Sequence, residues 1–178
     1  MNKFIGQSKS SKYNLLSRFF HWISALGLLI QVPLGFYLVG LDFSELRITI
    51  EDWHVFIGIC ILYITIFRLL VKFFSKTPAQ QMYGFPGQKL IAKTNHFLLY
   101  MSVFIITISG ILKKLFNGEE LNMFMFDVKL KSDFDKADFF YDIHVYSNYL
   151  LISLVTLHIL AVIFHKLVLK ENILKRIL

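Results

Sequence analysis

Four long apolar segments limit the possible folds of this sequence more than any other feature. The polar connections between them are short except for residues 117–142, whose charged residues suit an extramembrane loop. The apolar segments cover residues 16–40, 52–74, 92–116 and 143–169. Each is longer than the roughly 20 residues that an α-helix needs to cross the hydrocarbon core of a bilayer. The sequence therefore predicts an all-α membrane protein, a bundle of four transmembrane helices in a single domain over residues 1–178.

Composition agrees with this class and excludes others. Hydrophobic residues make up 56% of the chain and charged residues 17%, whereas charged residues are roughly a quarter of soluble domains. The single cysteine, Cys60, can form neither an intrachain disulfide nor a CxxCH haem attachment. The first apolar segment is too long for the 7–15 residue core of a signal peptide. We therefore expect it to be retained as a membrane span.

Lysine and arginine alternate between the connections and so orient the helices. The segments before the first span, between the second and third spans and after the fourth are basic, whereas the other two connections are acidic overall. Because basic connections stay in the cytoplasm, both termini are expected there. The net charge of +7 then indicates contact with anionic lipid rather than nucleic acid. The basic residues in or next to these three segments are Lys3, Lys9, Lys12, Arg18, Lys72, Lys76, Lys89, Lys93, Lys166, Lys170, Lys175 and Arg176.

All six histidines lie in or at the ends of the apolar segments, where an ionisable side chain is costly. His144 and His158 are 14 residues apart, close to four helical turns, which gives about 21 Å of rise and only about 40° of rotation. They therefore share one helix face at two depths. His54 matches the outer depth and His21 the inner depth. The spacing predicts two histidine pairs between helices, stacked along the membrane normal.

Two opposed imidazoles at each depth favour haem iron over zinc. Iron in haem already holds four porphyrin nitrogens and needs only axial ligands from the protein. Zinc usually takes four ligands, of which three or four come from the protein, and each depth here offers only two clear histidines. The sequence therefore predicts two haem b groups, one above the other in the bundle.

Four further positions suit such an arrangement, and each has a plainer alternative. Gly35 and Gly110 each lie 14 residues after a histidine of the same helix, where a flat macrocycle needs room, although glycine also serves helix contact in membranes. Arg68 reaches the inner depth and can bind a haem propionate or a quinone carbonyl, or extend to lipid headgroups instead. For His96, the plainer alternative is that its side chain only anchors the helix at the membrane interface.

Short motifs at the helix ends make the chain similar to the bacterial dihaem cytochrome b561 family, from residue 13 to residue 176. The resemblance implies that His21 and His158 bind the iron of an inner haem, and that His54 and His144 bind that of an outer haem, in the bacterial inner membrane. Arg18 is then a candidate contact to a haem propionate. The motifs are Arg18–Phe19–Phe20–His21–Trp22, His54 with Gly58, Arg68–Leu69–Leu70, Asn95–His96–Phe97, Asp142–Ile143–His144, Leu157–His158 with His165, and Lys170–Glu171–Asn172.

The chain looks most like the branch of superoxide oxidases, which implies an oxidoreductase that passes electrons from superoxide, or another outer donor, to ubiquinone. By the same resemblance His165 lines the quinone site and handles protons, with Arg68 as a second candidate there. Two features depart from that branch. Its quinone-site lysine is missing from residues 81–86, where the nearest lysines are Lys76 and Lys89. The outer connections are also acidic, which does not favour steering of an anion.

Two other functions stay open at this point. The first is a cytochrome b subunit that passes electrons from a partner dehydrogenase or hydrogenase to quinone, with residues 117–142 as the partner surface. The second is a histidine-lined metal transporter. An optical spectrum separates the transporter from the other two functions, because only they require haem.

Overall fold

A computed structural model describes residues 12–75 and 86–178, and four long helices dominate these residues. All four are long and apolar enough to cross a membrane, which confirms the predicted four-helix class. Lys3, Lys9, Lys76 and most of the lysine-free stretch at 81–86 lie outside the described residues. Helix α1 covers Leu15–Val39, α2 covers Glu45–Phe74, α3 covers Gln88–Phe116 and α4 covers Phe134–Leu167.

Two shorter elements complete the described fold. Strands β1 (Leu121–Asn122) and β2 (Asp127–Val128) form an antiparallel hairpin between α3 and α4. A 3-10 turn, Ile173–Arg176, follows α4. We call the end of the bundle where α1 begins and α4 ends the inner end, and the end that carries the hairpin the outer end.

Helices α2 and α4 begin well before the spans predicted for them, because polar side chains cap polar first turns that hydropathy does not detect. The hydroxyl of Ser44 accepts a hydrogen bond from the N–H of Arg47 at 3.3 Å, and the carboxylate of Asp133 accepts one from the N–H of Lys136 at 3.1 Å. Such caps satisfy N–H groups that have no partner within the helix. The connection between α3 and α4 is correspondingly shorter than predicted.

The helices pack in chain order around a central axis. Helix α3 packs most extensively on α4, α1 packs on α2, and α2 packs on α3. The rings of Phe36 and Tyr149 bring α1 and α4 together, with centroids 6.1 Å apart. All four helices therefore line the interior, as a cofactor held within a helical bundle requires.

The buried core is a thin apolar layer between the two histidine depths. Its centre consists of Ile61, Val103, Ile106 and Leu151, and Leu151 is only 1% exposed. Leu151 lies midway along α4 between the two histidines predicted at different depths. Most other large apolar side chains point outward, as a surface that faces lipid requires. The fold thus places one polar level on each side of a dry layer.

Candidate functional site

The outer pair of predicted ligands lies together in the structure. His54 of α2 and His144 of α4 have ring centroids 6.1 Å apart and ring planes inclined at 72°. Metal–imidazole bonds are about 2.0–2.1 Å long, so two rings at this separation leave space for one metal ion between them. The predicted proximity of the two side chains is therefore observed, and their ligation of iron stays a prediction.

The hydrogen bonds of the outer pair suit ligation. The Nδ1 of His144 donates to the backbone carbonyl of Ile106 at 2.7 Å, which leaves the lone pair of the neutral ring on Nε2. Ligating histidines usually hold their second nitrogen in this way. The Nδ1 of His54 is buried and has no hydrogen-bond partner among the described residues. These two rings are compatible with an iron ligand at each Nε2.

Two glycines provide the room that these rings occupy. A Cβ on Gly110 would lie 2.9 Å from both Cε1 and Nδ1 of His144, and one on Gly35 would lie 3.1 Å from Cε1 of His54. Both separations are shorter than ordinary carbon contacts of about 3.5–4.0 Å. The sequence linked these glycines to clearance for a macrocycle. In the structure, the imidazole of a neighbouring helix instead occupies the place of each missing side chain.

A cavity of about 340 Å³ opens beside the outer pair, and all four helices line it. This volume lies at the lower end of the range for small-molecule and cofactor sites. Apolar residues form most of the wall, among them Val32, Ile106 and Leu151. The side-chain oxygens of Gln31 and Asn148, also in the wall, are buried without a hydrogen-bond partner among the described residues. A largely apolar group with a few polar atoms fits this lining.

The outer mouth of the cavity is cationic. Arg47, Lys113 and Lys114 line it against the single carboxylate of Glu51. Lys113 and Lys114 both form ion pairs with Glu51, at 3.1 and 3.3 Å, and Lys114 also pairs with Glu119. The sequence analysis counted charge by connection and therefore missed this cluster. The available signal in the sequence was the pair of consecutive lysines, Lys113 and Lys114, at the outer end of α3.

At the inner level, His158 has a ring contact with His96 rather than with its predicted partner His21. The rings of His96 and His158 have centroids 5.2 Å apart, whereas the ring contact of His21 among the described residues is with Trp22. The Nδ1 of His96 donates to the carbonyl of Ala92 at 2.7 Å. His96 thus lies beside His158, and its side chain is exposed rather than enclosed by the bundle.

Arg68 also joins the inner level, and its position affects ligation there. Its guanidinium donates to Nδ1 of His21 at 2.8 Å and lies over the ring of Tyr100 at 5.1 Å. Because a guanidinium offers only N–H donors, a neutral His21 carries its own proton on Nε2. Ligation of iron through Nε2 therefore requires Arg68 to release this ring. The outer pair has a hydrogen bond that favours ligation, whereas His21 does not.

His165 lies at the inner end between two side chains that the sequence analysis missed. The amide of Gln88 donates to Nε2 of His165 at 2.7 Å, and Nδ1 of His165 donates to the Glu171 carboxylate at 3.1 Å. One side-chain oxygen of Gln88 and one of Glu171 are buried and lack a hydrogen-bond partner in the described part of the chain. The Lys170–Glu171–Asn172 motif was the available signal for Glu171.

A strained turn brings Glu171 to this ring. Lys170 has a φ of 55°, in the left-handed region that costs residues with a side chain of order 1–3 kcal/mol. This turn reverses the chain after α4, and the N–H of Glu171 then donates to the carbonyl of His165 at 2.9 Å. Beyond the turn, the indole of Trp22 donates to the carbonyl of Ile177 at 3.0 Å. The segment after α4 is thus tied to α1.

Arg18 is the remaining site residue that the sequence analysis proposed. Arg18 lies one turn before His21 on α1, and its Nε is buried with no hydrogen-bond partner among the described residues. Its contact with a propionate stays a prediction.

Across residues 12–75 and 86–178, no group of three or more His, Cys, Asp or Glu side chains is arranged to hold a metal ion. The metal transporter therefore gains no support from the described residues.

Comparison with known proteins agrees with this geometry. A family model described as prokaryotic cytochrome b561 matches residues 12–178. The chain is also 29% identical over 171 residues to "Cytochrome b561 homolog 2" of Escherichia coli strain K12, an alignment that covers 94% of this chain and 91% of that protein. Both similarities extend over all four helices.

Proposed function

Because the chain belongs to the prokaryotic cytochrome b561 family, we propose that it carries single electrons between a donor at its outer end and ubiquinone at its inner end, by means of two b haems. Membership of the family makes it a transmembrane electron-transfer cytochrome with haem b. The number of haems, the donor, the quinone and the residues that serve them are our proposal. Each haem, when bound, supplies the reversible one-electron chemistry of its iron.

The observation that carries the proposal is the outer histidine pair beside its cavity. His54 and His144 face each other at 6.1 Å, and their backbone positions are set by helices that pack through Gly35 and Gly110. The hydrogen bond from His144 to Ile106 fixes one tautomer and one ring orientation. These residues would hold the outer haem beside the cavity that all four helices line.

At the inner level, His21 and His158 would hold the second haem. Arg68 donates to His21 in the structure, and it would have to leave that ring when iron binds. The released guanidinium, together with Arg18, would then be available to a propionate, because arginine suits planar pairs of oxygen acceptors. The apolar layer around Leu151 and Ile61 keeps water out between the two levels.

At the inner end, the arrangement of His165 supports a role in supplying protons to quinone. The Glu171 carboxylate accepts the Nδ1 proton of His165 in a hydrogen bond, which orients the ring. A ring held in this way can give a proton to a quinone oxygen and regain one from water. Gln88 holds the Nε2 side and would release it to the quinone. Gln88 and Glu171 would thus take the positioning role that a lysine has in the superoxide-oxidase branch.

The cationic mouth of the outer cavity supports an anionic donor such as superoxide. Loop charges alone argued against such a donor, whereas the cations Arg47, Lys113 and Lys114 at the cavity outnumber the carboxylates Glu51 and Glu119 by one. Local charge at a cleft acts more strongly on an approaching ion than distant loop charge, which salt screens within about 8–10 Å. The inner end, where α1 begins and α4 ends, would face the cytoplasm of a bacterium.

Rapid mixing of the purified chain with superoxide tests this function. In lipid nanodiscs that contain ubiquinone, we expect superoxide to reduce the haem absorbance bands at once, and ubiquinol to accumulate. Nanodiscs without quinone serve as the control, and in them the bands should stay reduced. If reduction by superoxide is slow and does not depend on quinone, electrons must come from a partner dehydrogenase or hydrogenase instead.

A further inference from the structure

The hairpin between α3 and α4 has an apolar tip that the described residues leave largely exposed. Its four consecutive residues Met123–Phe126 are uncharged. Met125 is 84% exposed, Phe126 is 57% exposed and Phe124 is 53% exposed. Charged residues flank the tip on both sides, at Glu119, Glu120, Asp127 and Lys129. Such a pattern is unusual for a loop in water, because exposed apolar side chains there are normally scattered.

The tip packs against the membrane-spanning part of α2. The ring of Phe124 lies 5.7 Å from that of Phe56 and 5.8 Å from that of Tyr63, centroid to centroid. The hydroxyl of Tyr63 donates to the carbonyl of Met123 at 2.8 Å. The tip is therefore fixed to one face of α2 over two helical turns.

The depth of these contacts follows from the charges of α2. The helix has no charged residue between Asp52 and Arg68, so the stretch between them lies in the hydrocarbon. At 1.5 Å per residue, Phe56 and Tyr63 lie roughly 6 Å and 17 Å beyond Asp52 along an upright helix. Side chains of a helix lean toward its N-terminus, so the Tyr63 ring lies nearer the outer surface than its backbone, and a tip that contacts both rings reaches just below the membrane surface.

The backbone hydrogen bonds of the tip limit how deep it can lie. Irregular chain exposed to lipid does not occur within the hydrocarbon core. The N–H of Phe124 donates to the side chain of Asn122 at 2.9 Å, and the N–H of Met123 donates to the carbonyl of Phe126 at 2.9 Å. The Tyr63 hydroxyl donates to the Met123 carbonyl. These bonds serve about half of the tip backbone, so the tip suits the boundary between headgroups and acyl chains, where water and headgroups can serve the remaining groups.

We propose that residues 121–128 form a membrane-inserted hairpin whose apolar side chains enter the boundary between headgroups and acyl chains of the outer leaflet. Lipid is the occupant that the structure favours, because the exposed side of the tip continues the lipid-facing surface of α2, where Phe56 is itself 46% exposed. The sequence pattern alone predicted an extramembrane loop here. Insertion would also fix the position of Glu119, just ahead of the hairpin, which pairs with Lys114 at the mouth of the outer cavity.

A spin label at the tip tests this proposal. The label would be attached through Met125→Cys in a Cys60→Ala background, in nanodiscs of bacterial phospholipid. We expect it to collide more often with oxygen, which concentrates in the bilayer, than with a water-soluble nickel chelate. Leu29→Cys supplies the lipid-facing control, since Leu29 is 71% exposed on α1. Lys131→Cys, at an exposed residue beyond the hairpin, supplies the aqueous control.

Two outcomes would overturn the proposal. A label at residue 125 that behaves like the one at residue 131 would place the tip in water, as a docking surface for a partner protein. Strong spin–spin broadening at residue 125, absent at residue 29, would mean that a second copy of the chain covers the tip. Tyr63→Phe keeps the ring but removes the hydroxyl, so it should shift the label at residue 125 toward water and leave the label at residue 29 unchanged.

Discussion

Replacement of Gly110 by alanine is expected to damage the outer haem site selectively. The new Cβ would lie 2.9 Å from two ring atoms of His144, closer than any ordinary contact. The ring cannot easily retreat, because its Nδ1 is held by the carbonyl of Ile106 at 2.7 Å. Either the hydrogen bond breaks or α3 and α4 move apart. Both changes alter the direction in which Nε2 points.

The size of the effect follows from known costs. One carbon too many in a packed interior costs about 1–3 kcal/mol, and a net hydrogen bond contributes about 1 kcal/mol. About 1.4 kcal/mol corresponds to a tenfold change in a binding constant. We therefore expect the affinity for the outer haem to fall roughly 10–100-fold. Loss of a residue that orients a metal ligand lowers metal affinity by a similar factor. Gly35→Ala should act more weakly, since its Cβ would lie 3.1 Å from His54.

Haem content and redox titration of purified protein measure this effect, and Gly27→Ala is the matched control. A Cβ on Gly27 would lie 3.2 Å from the Ile61 side chain, so it adds comparable crowding without touching a histidine. We expect Gly110→Ala to lose haem or shift one of two redox steps, and Gly27→Ala to retain both steps. If the two variants behave alike, the contact between Gly110 and His144 has no part in haem binding.

Two further predictions concern the two ends of the bundle. Glu171→Gln keeps the size of the side chain but removes its charge. Quinone reduction should therefore slow, by up to the roughly 10²–10⁴-fold that general acid–base catalysis contributes, while the haem spectra stay unchanged. A wild-type rate of quinone reduction over the whole pH range would remove Glu171 from the quinone site. Lys113→Gln removes one cation from the outer mouth, so the rate constant for reduction by superoxide should fall and depend less on salt. Stopped-flow measurements at two ionic strengths check this, and Lys131→Gln, at an exposed residue away from the cavity, is the control. Equal salt dependence in both variants would contradict steering by this cluster.

The sequence was sufficient for the features that repeat along one helix. Long apolar runs need no partner to reveal a membrane span, so the four helices were predicted correctly. The spacing of His144 and His158 fixes a shared face and two depths whatever the neighbouring helices do. For the same reason the proximity of His54 to His144 could be expected from matched depth alone.

Features that join distant segments were out of reach of the sequence. The contact of Glu171 with His165 depends on a left-handed turn at Lys170, which no propensity predicts for lysine. The ion pair of Lys113 with Glu51 depends on how α2 and α3 are aligned. Charge counted by connection therefore described the loops correctly and missed the charge at the cavity.

The ratio of haem to polypeptide, measured on purified wild type and on four single histidine-to-alanine variants, tests the central claim most directly. We expect two haems in the wild type, with the absorbance bands of reduced bis-imidazole haem, and one haem in each variant. Circular dichroism in the same detergent confirms that each variant keeps its helices. A folded wild type with a single haem or none, or a folded variant that retains both, would contradict the proposed pairs. The variants are His21→Ala, His54→Ala, His144→Ala and His158→Ala.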